Sequence, residues 1–87
     1  MDKKEKIKAL AVEMLNDSYQ DIIKKIDKAL NSNAVDVESW DEKNGPMMLP
    51  KMILCAVLED EATEYSGKGT TYERKIRKEI NNIKYFI

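Results

Sequence analysis

Leu49-Pro50-Lys51-Met52-Ile53-Leu54-Cys55-Ala56-Val57-Leu58 reads as the opening and body of a helix without a polar side. Proline lacks the N–H that a first helical turn leaves unpaired, so Pro50 marks a start and not a break. From Met52 to Leu58 every residue is apolar, and such a run covers the whole circumference of a helix, which must then be surrounded by protein. A bilayer span needs about 20 apolar residues, so this run is too short for a membrane. The segment predicts a central helix over residues 49–65 of an all-α fold, and the rest of the chain is read as what covers it.

Downstream, Ser66-Gly67-Lys68-Gly69 interrupts the helix, and Thr70-Thr71-Tyr72-Glu73 has the S/T-x-x-E pattern of a capping box with Thr70 as cap. Tyr72, Ile76, Ile80, Ile83 and Ile87 recur at helical spacing, which predicts a last helix over residues 71–86. Upstream, Ile7, Leu10, Ala11, Met14, Leu15, Ile22, Ile26 and Ala29 also recur at steps of three and four residues. Asn16-Asp17-Ser18 has the composition of a cap, with Asp21 placed as the acidic member of a box. The stripe nevertheless keeps its phase on both sides of Ser18, so one continuous, bent helix over residues 3–30 is expected. Asn31-Ser32-Asn33 stops it, because these side chains compete for backbone hydrogen bonds. The result is a bundle of three main helices with a long connection over 31–48, pinned by Trp40 and containing one short helical turn within 36–41.

With 87 residues, 43% hydrophobic and 36% charged, the chain has the composition of one globular domain, residues 1–87, and not of a disordered segment. A core of this size gives a thin margin of stability, and chains near the limit often gain from association. Two other helices cover an all-apolar central helix only in part, so a homodimer is expected. The single cysteine, Cys55, cannot form an internal bridge; with a charged stretch at residues 1–8 and no apolar leader, a cytoplasmic location without membrane contact follows. A net charge of −1 hides an uneven distribution: residues 1–32 carry seven Lys and six acids, 33–66 two Lys and eight acids, and 67–87 six Lys or Arg and two Glu. Complementary pairing between these segments, or between subunits, is the reading this predicts.

The absence of histidine removes the commonest general base near neutral pH and most zinc and haem sites. Cys55 lies in an apolar turn with no basic neighbour, and is read as a small core residue. Glu59, Asp60, Glu61 and Glu64 crowd carboxylates at a helix C-terminus, against the macrodipole. Lys68, Arg74 and Lys75, across the loop, are the expected counter-charges. Glu61-x-x-Glu64, followed by Glu79 with Asn82 three residues on, resembles the E-x-x-E and E-x-x-D pair of the all-α nucleoside triphosphate pyrophosphohydrolases. The resemblance covers these four positions, with an amide where the last acid belongs, and implies Mg²⁺ held between two helices for nucleotide hydrolysis. Gly67-Lys68-Gly69-Thr70 lacks the spacing of a phosphate loop.

Two surfaces remain. Trp40, Met47 and Met48 join the acidic group Glu59, Asp60, Glu61 and Glu64 as candidate contacts for a protein partner, because methionine and tryptophan adapt well to partner surfaces. Opposite the isoleucine stripe, Arg74, Arg77, Lys78, Asn81 and Tyr85 offer groups able to meet phosphates and base edges, making nucleic acid an alternative ligand. Lys-, Asn- and Ile-rich usage is that of an AT-rich genome, and compact chains of this kind are common in phages and mobile elements as inhibitors of host or defence factors. The expectation is a small regulatory protein that binds a protein partner without catalysis, with no catalytic residue, metal or cofactor assigned.

Overall fold

The computed structural model describes residues 2–85. Its helices are α1, Lys3–Glu13; α2, Gln20–Leu30; α3, Met48–Glu64; and α4, Thr71–Lys84, with a 3-10 turn at Val37–Ser39 before α3. No strand occurs among the described residues. The chain is thus all-α, with four helices in place of three. Positions 86 and 87, which include the expected stripe member Ile87, lie outside the described residues.

The extra helix comes from residues 3–30, which break in two. At Met14 and Leu15 the amides fold back on Ala11 and Val12, tightening the last turn of α1, and the chain resumes at Tyr19, an extended residue with no side-chain cap of its own. A straight helix of 28 residues would run about 42 Å at 1.5 Å per residue, longer than the molecule's greatest extent of 40 Å. Folded back, the two halves both reach α3. Their stripe keeps phase because Ile7, Ala11 and Met14 on α1 and Ile22, Ile26 and Leu30 on α2 all enter one core. Contacts between Lys8 and Asp27, and between Lys4 and Asn31, show that the two helices run antiparallel.

Burial organises α3. Leu49, Pro50, Ile53, Leu54, Val57, Leu58, Glu61 and Ala62 face inward, and α1, α2 and α4 all pack on this helix. Met48 and Met52 stay exposed at 75% and 64%, and Ala56 is exposed between α2 and the outer side. The protein's own helices therefore enclose most of the apolar run and leave one stripe, Met48-Met52-Ala56, uncovered. Pro50 falls in the first turn, where no amide partner is lost.

Helix α4 runs back along α3, as shown by the pairing of Tyr72 with Glu61 and of Lys51 with the Lys84 carbonyl. Thr70 caps it through its hydroxyl, which accepts from the Glu73 amide at 3.1 Å. Glu73 does not complete the box; its carboxylate takes the Arg77 Nε–H one turn on. The loop before it depends on Gly67 and Gly69, at φ +82° and +59°, where a side chain would be strained. The long connection is pinned by Trp40, 7% exposed, whose indole N–H donates to the Pro46 carbonyl at 2.9 Å. Lys3 and Lys6 of α1 hold its outer side through Glu38 and Glu42.

Candidate functional site

The residues proposed from sequence as a partner surface separate in space. Trp40 is turned inward, bonded to Pro46, and serves the connection. Met47 is half-buried against the core. Met48 is exposed and lies one turn from Met52, also exposed, part of the apolar run expected to be surrounded by protein once a second subunit covers it. The signal was present: positions 48, 52 and 56 share one face at a four-residue step, and α3 has neighbours enough to cover every other face.

Around this stripe lies an apolar cleft of about 520 Å³, floored by Leu49, Ile53 and Val57 and walled by Ala29 of α2 and Val35 of the connection. It continues beside Ala56 toward Lys28 and Asp60. At the opposite end it passes Met48 toward Asp41 and Gly45. One end of the groove therefore carries Asp36 and Asp41, and the other carries Lys25 and Lys28 together with Asp60.

The acidic group is not paired across the loop. Its counter-ion is Lys25 of α2, which donates to Glu61 at 2.9 Å, Glu64 at 3.0 Å and Asp60 at 3.3 Å. Glu61 is interior, with a side chain 4% exposed, whereas Glu64 and Asp60 are largely in water. Tyr72 donates its hydroxyl to the second Glu61 oxygen at 2.7 Å, and edge-to-face contacts with Tyr65 and Tyr19 hold the Tyr72 ring. Burial pushes the Glu61 carboxyl upward, but the bonds from Lys25 and Tyr72 outweigh it and hold the group below the usual carboxylate range. The Glu61 bond raises the Lys25 ammonium in turn, against the lowering effect of burial, with Glu64 and Asp60 assisting. Burial, then Glu61, pushes the Tyr72 phenol up.

Lys68 does not reach the carboxylates either; its ammonium lies 5.5 Å from the centre of the Tyr65 ring, a cation–π contact. Arg74, Lys75 and Lys78 make no ion pair among the described residues. Sequence adjacency suggested these cations, but antiparallel packing of α2 on α3 supplies one from farther along the chain.

Three of the four positions resembling a pyrophosphohydrolase motif, Glu61, Glu64 and Glu79, have other occupations. Glu61 and Glu64 surround an ammonium. Glu79, 3% exposed, accepts from the Asn16 amide at 2.9 Å and from its side-chain amide at 2.8 Å. This carboxylate thus serves the break between α1 and α2. No group of three or more acidic or cysteine side chains is placed to hold a metal among the described residues. Cys55 is half-buried, and burial followed by the nearby Glu59 charge raises its thiol, despite Lys51 and Lys84. A polar groove of about 410 Å³ separates α3 from α4, lined by Glu59, Thr63, Arg77 and Lys84. No helix is long and apolar enough to cross a membrane among the described residues.

Comparison with protein-family models, with curated proteins and with solved structures finds no match for this chain.

Proposed function

We propose that the protein acts by binding and not by catalysis, and that the outward face of α3 is its protein-contact surface, occupied by a second copy of the chain. The observation that carries this reading is the exposure of Met48 and Met52 side by side above an apolar cleft. Water gains nothing from two adjacent thioether chains, and covering them removes apolar surface from solvent.

A second copy suits the groove because its ends differ in charge: Asp36 and Asp41 stand at one, and at the other Asp60 is already paired with Lys25, leaving Lys28 in excess. An antiparallel two-fold approach brings Asp36 and Asp41 of one copy toward Lys28 of the other, and repeats the contact at the far end. With the axis near Met52, the bulky Met48 of each copy faces the small Ala56 of the other. Self-complementarity in both charge and size is what an isologous interface requires. The interior placement of Glu61 and Glu79, each occupied by hydrogen-bond donors, further favours a structural role for the buried carboxylates over an acid–base one.

Sedimentation equilibrium of the full chain, from low to high micromolar concentration, tests the reading. A concentration-dependent shift from 10.1 kDa toward twice that mass is expected. Met52→Lys places two ammonium groups near the axis and is expected to return the protein to a monomer with an unchanged circular-dichroism spectrum, because the position is exposed. A species that remains monomeric throughout, or a Met52→Lys variant that still dimerises, overturns it.

A further inference from the structure

The pairing of Lys25 with the acidic group has a consequence at the other side of the molecule: it leaves the cations of the C-terminal region without the carboxylates nearest them in sequence. In α1 and α2, Lys3, Lys6, Lys8 and Lys25 end on acidic side chains and Lys4 on Asn31, while Lys24 and Lys28 make no ion pair among the described residues. In α4, Arg74, Lys75 and Lys78 end in water, with no ion pair among the described residues. Arg77 shares Glu73, but its side chain is half exposed.

Helical geometry gathers these groups. Ile76, Ile80 and Ile83 are buried together with Glu79, so the opposite arc presents Arg74, Lys78, Asn81 and Tyr85, flanked by Lys75, Arg77 and Asn82. No carboxylate lies on that arc. Tyr85, 86% exposed, ends it. From Arg74 to Tyr85 the arc spans about 16 Å at 1.5 Å per residue. Helix α4 also packs chiefly on α3, and its outward side is an unobstructed ridge.

We propose that this ridge of α4 binds nucleic acid through the phosphodiester backbone. Unpaired cations on a projecting helix can neutralise phosphates and displace their counter-ions. The helix has the width to enter a duplex groove, where Asn81 and Asn82 are of a residue type that hydrogen-bonds base edges. Tyr85 supplies a ring on which an unpaired base can stack. An anionic membrane is disfavoured, because an interfacial helix must turn an apolar face to the lipid, and the isoleucines of α4 are committed to the core. The inference does not rest on the dimer: α4 lies across α3 from the connection that walls the apolar cleft.

The test is fluorescence anisotropy of labelled duplex DNA, duplex RNA and single-stranded DNA titrated with the full-length chain. Three neutralised phosphates per protomer predict a log–log salt slope of about −2.7, so affinity should fall roughly 40-fold between about 50 and about 200 mM salt. Arg74→Glu with Lys78→Glu should abolish binding. Lys24→Glu with Lys43→Glu changes net charge equally at exposed positions outside α4 and should retain most of it. Met52→Lys should leave binding per protomer in place, which separates this proposal from the dimer reading. Absence of binding to all three nucleic acids at low salt overturns the proposal. So does equal loss in both charge-reversed variants, or co-flotation with phosphatidylserine vesicles by a protein that binds none of the nucleic acids. Unchanged circular dichroism and melting temperature in both variants confirm that the comparison is between folded proteins.

Discussion

Lys25→Met removes one ammonium while keeping most of the volume of the side chain, and the structure permits its cost to be worked out contact by contact. Glu64 and Asp60 have side chains 61% and 76% exposed, so water compensates for their lost partner, at well under about 1 kcal/mol each. Glu61 is different: its side chain is 4% exposed, and after the substitution only the Tyr72 hydroxyl remains on it. Removing one partner of a buried pair costs about 3–5 kcal/mol. Because Lys25 itself is 30% exposed, water can approach the gap, which places the expected loss near the lower end, about 3 kcal/mol. For a chain of this size that corresponds to a fall of about 12–24 °C in melting temperature. Urea denaturation followed by circular dichroism measures the loss directly.

The pH dependence identifies the cause. In the native protein the Glu61 carboxyl is held below its usual range, so its interactions contribute stability above the unfolded value of about 4.3 and are lost as pH falls through the folded value. In Lys25→Met, burial becomes the stronger influence and the Glu61 carboxyl rises, so acid relieves the penalty by protonating it. The stability gap should be widest at neutral pH and narrow below about pH 4. Lys25→Met combined with Glu61→Gln should recover more than half of the loss, since the amide still accepts from Tyr72 and carries no charge to bury. A loss under about 1 kcal/mol at neutral pH, or a gap unchanged in acid, would show that solvent screens this pair like a surface one and would refute the reasoning.

Glu79→Ala leaves the backbone and side-chain amides of Asn16 without their acceptor, and is expected to cost about 1–3 kcal/mol; Glu79→Gln, which keeps one acceptor oxygen, should cost less. Hydrogen exchange should show the Asn16 amide losing protection in Glu79→Ala; retained protection would mean that the break between α1 and α2 is held by something else. Thr70→Ala removes the α4 cap and should cost about 1 kcal/mol, recovered in large part by Thr70→Asp, with chemical denaturation as the measure.

Much of the fold was legible because local chemistry dictated it. The start of α3 in the turn that holds Pro50, the Thr70 cap and the Ile76, Ile80 and Ile83 stripe of α4 each depend on residues within a turn or two of one another, and the structure has α3 beginning one residue ahead of the expected Leu49 and the other two where the spacing placed them. The division of residues 3–30 was not legible in the same way. Its apolar stripe is in phase across the break, and the carboxylate that receives the Asn16 amides comes from Glu79, in the last helix. The same limit applies to the acidic group: Lys68, Arg74 and Lys75 were the neighbours in sequence, while Lys25, 36 positions from Glu61, became the neighbour in space.

By itself the sequence determined the helical periodicities, the starts of α3 and α4 to within a residue, and the excess of apolar surface on residues 49–58, since each follows from side-chain chemistry over a few consecutive residues. Tertiary structure alone decided which part of that surface stays uncovered, which cation neutralises Glu61 and which cations remain unpaired. Those outcomes depend on how antiparallel helices bring distant residues together, and neither charge nor hydrophobicity along the chain specifies a partner until packing sets the distances.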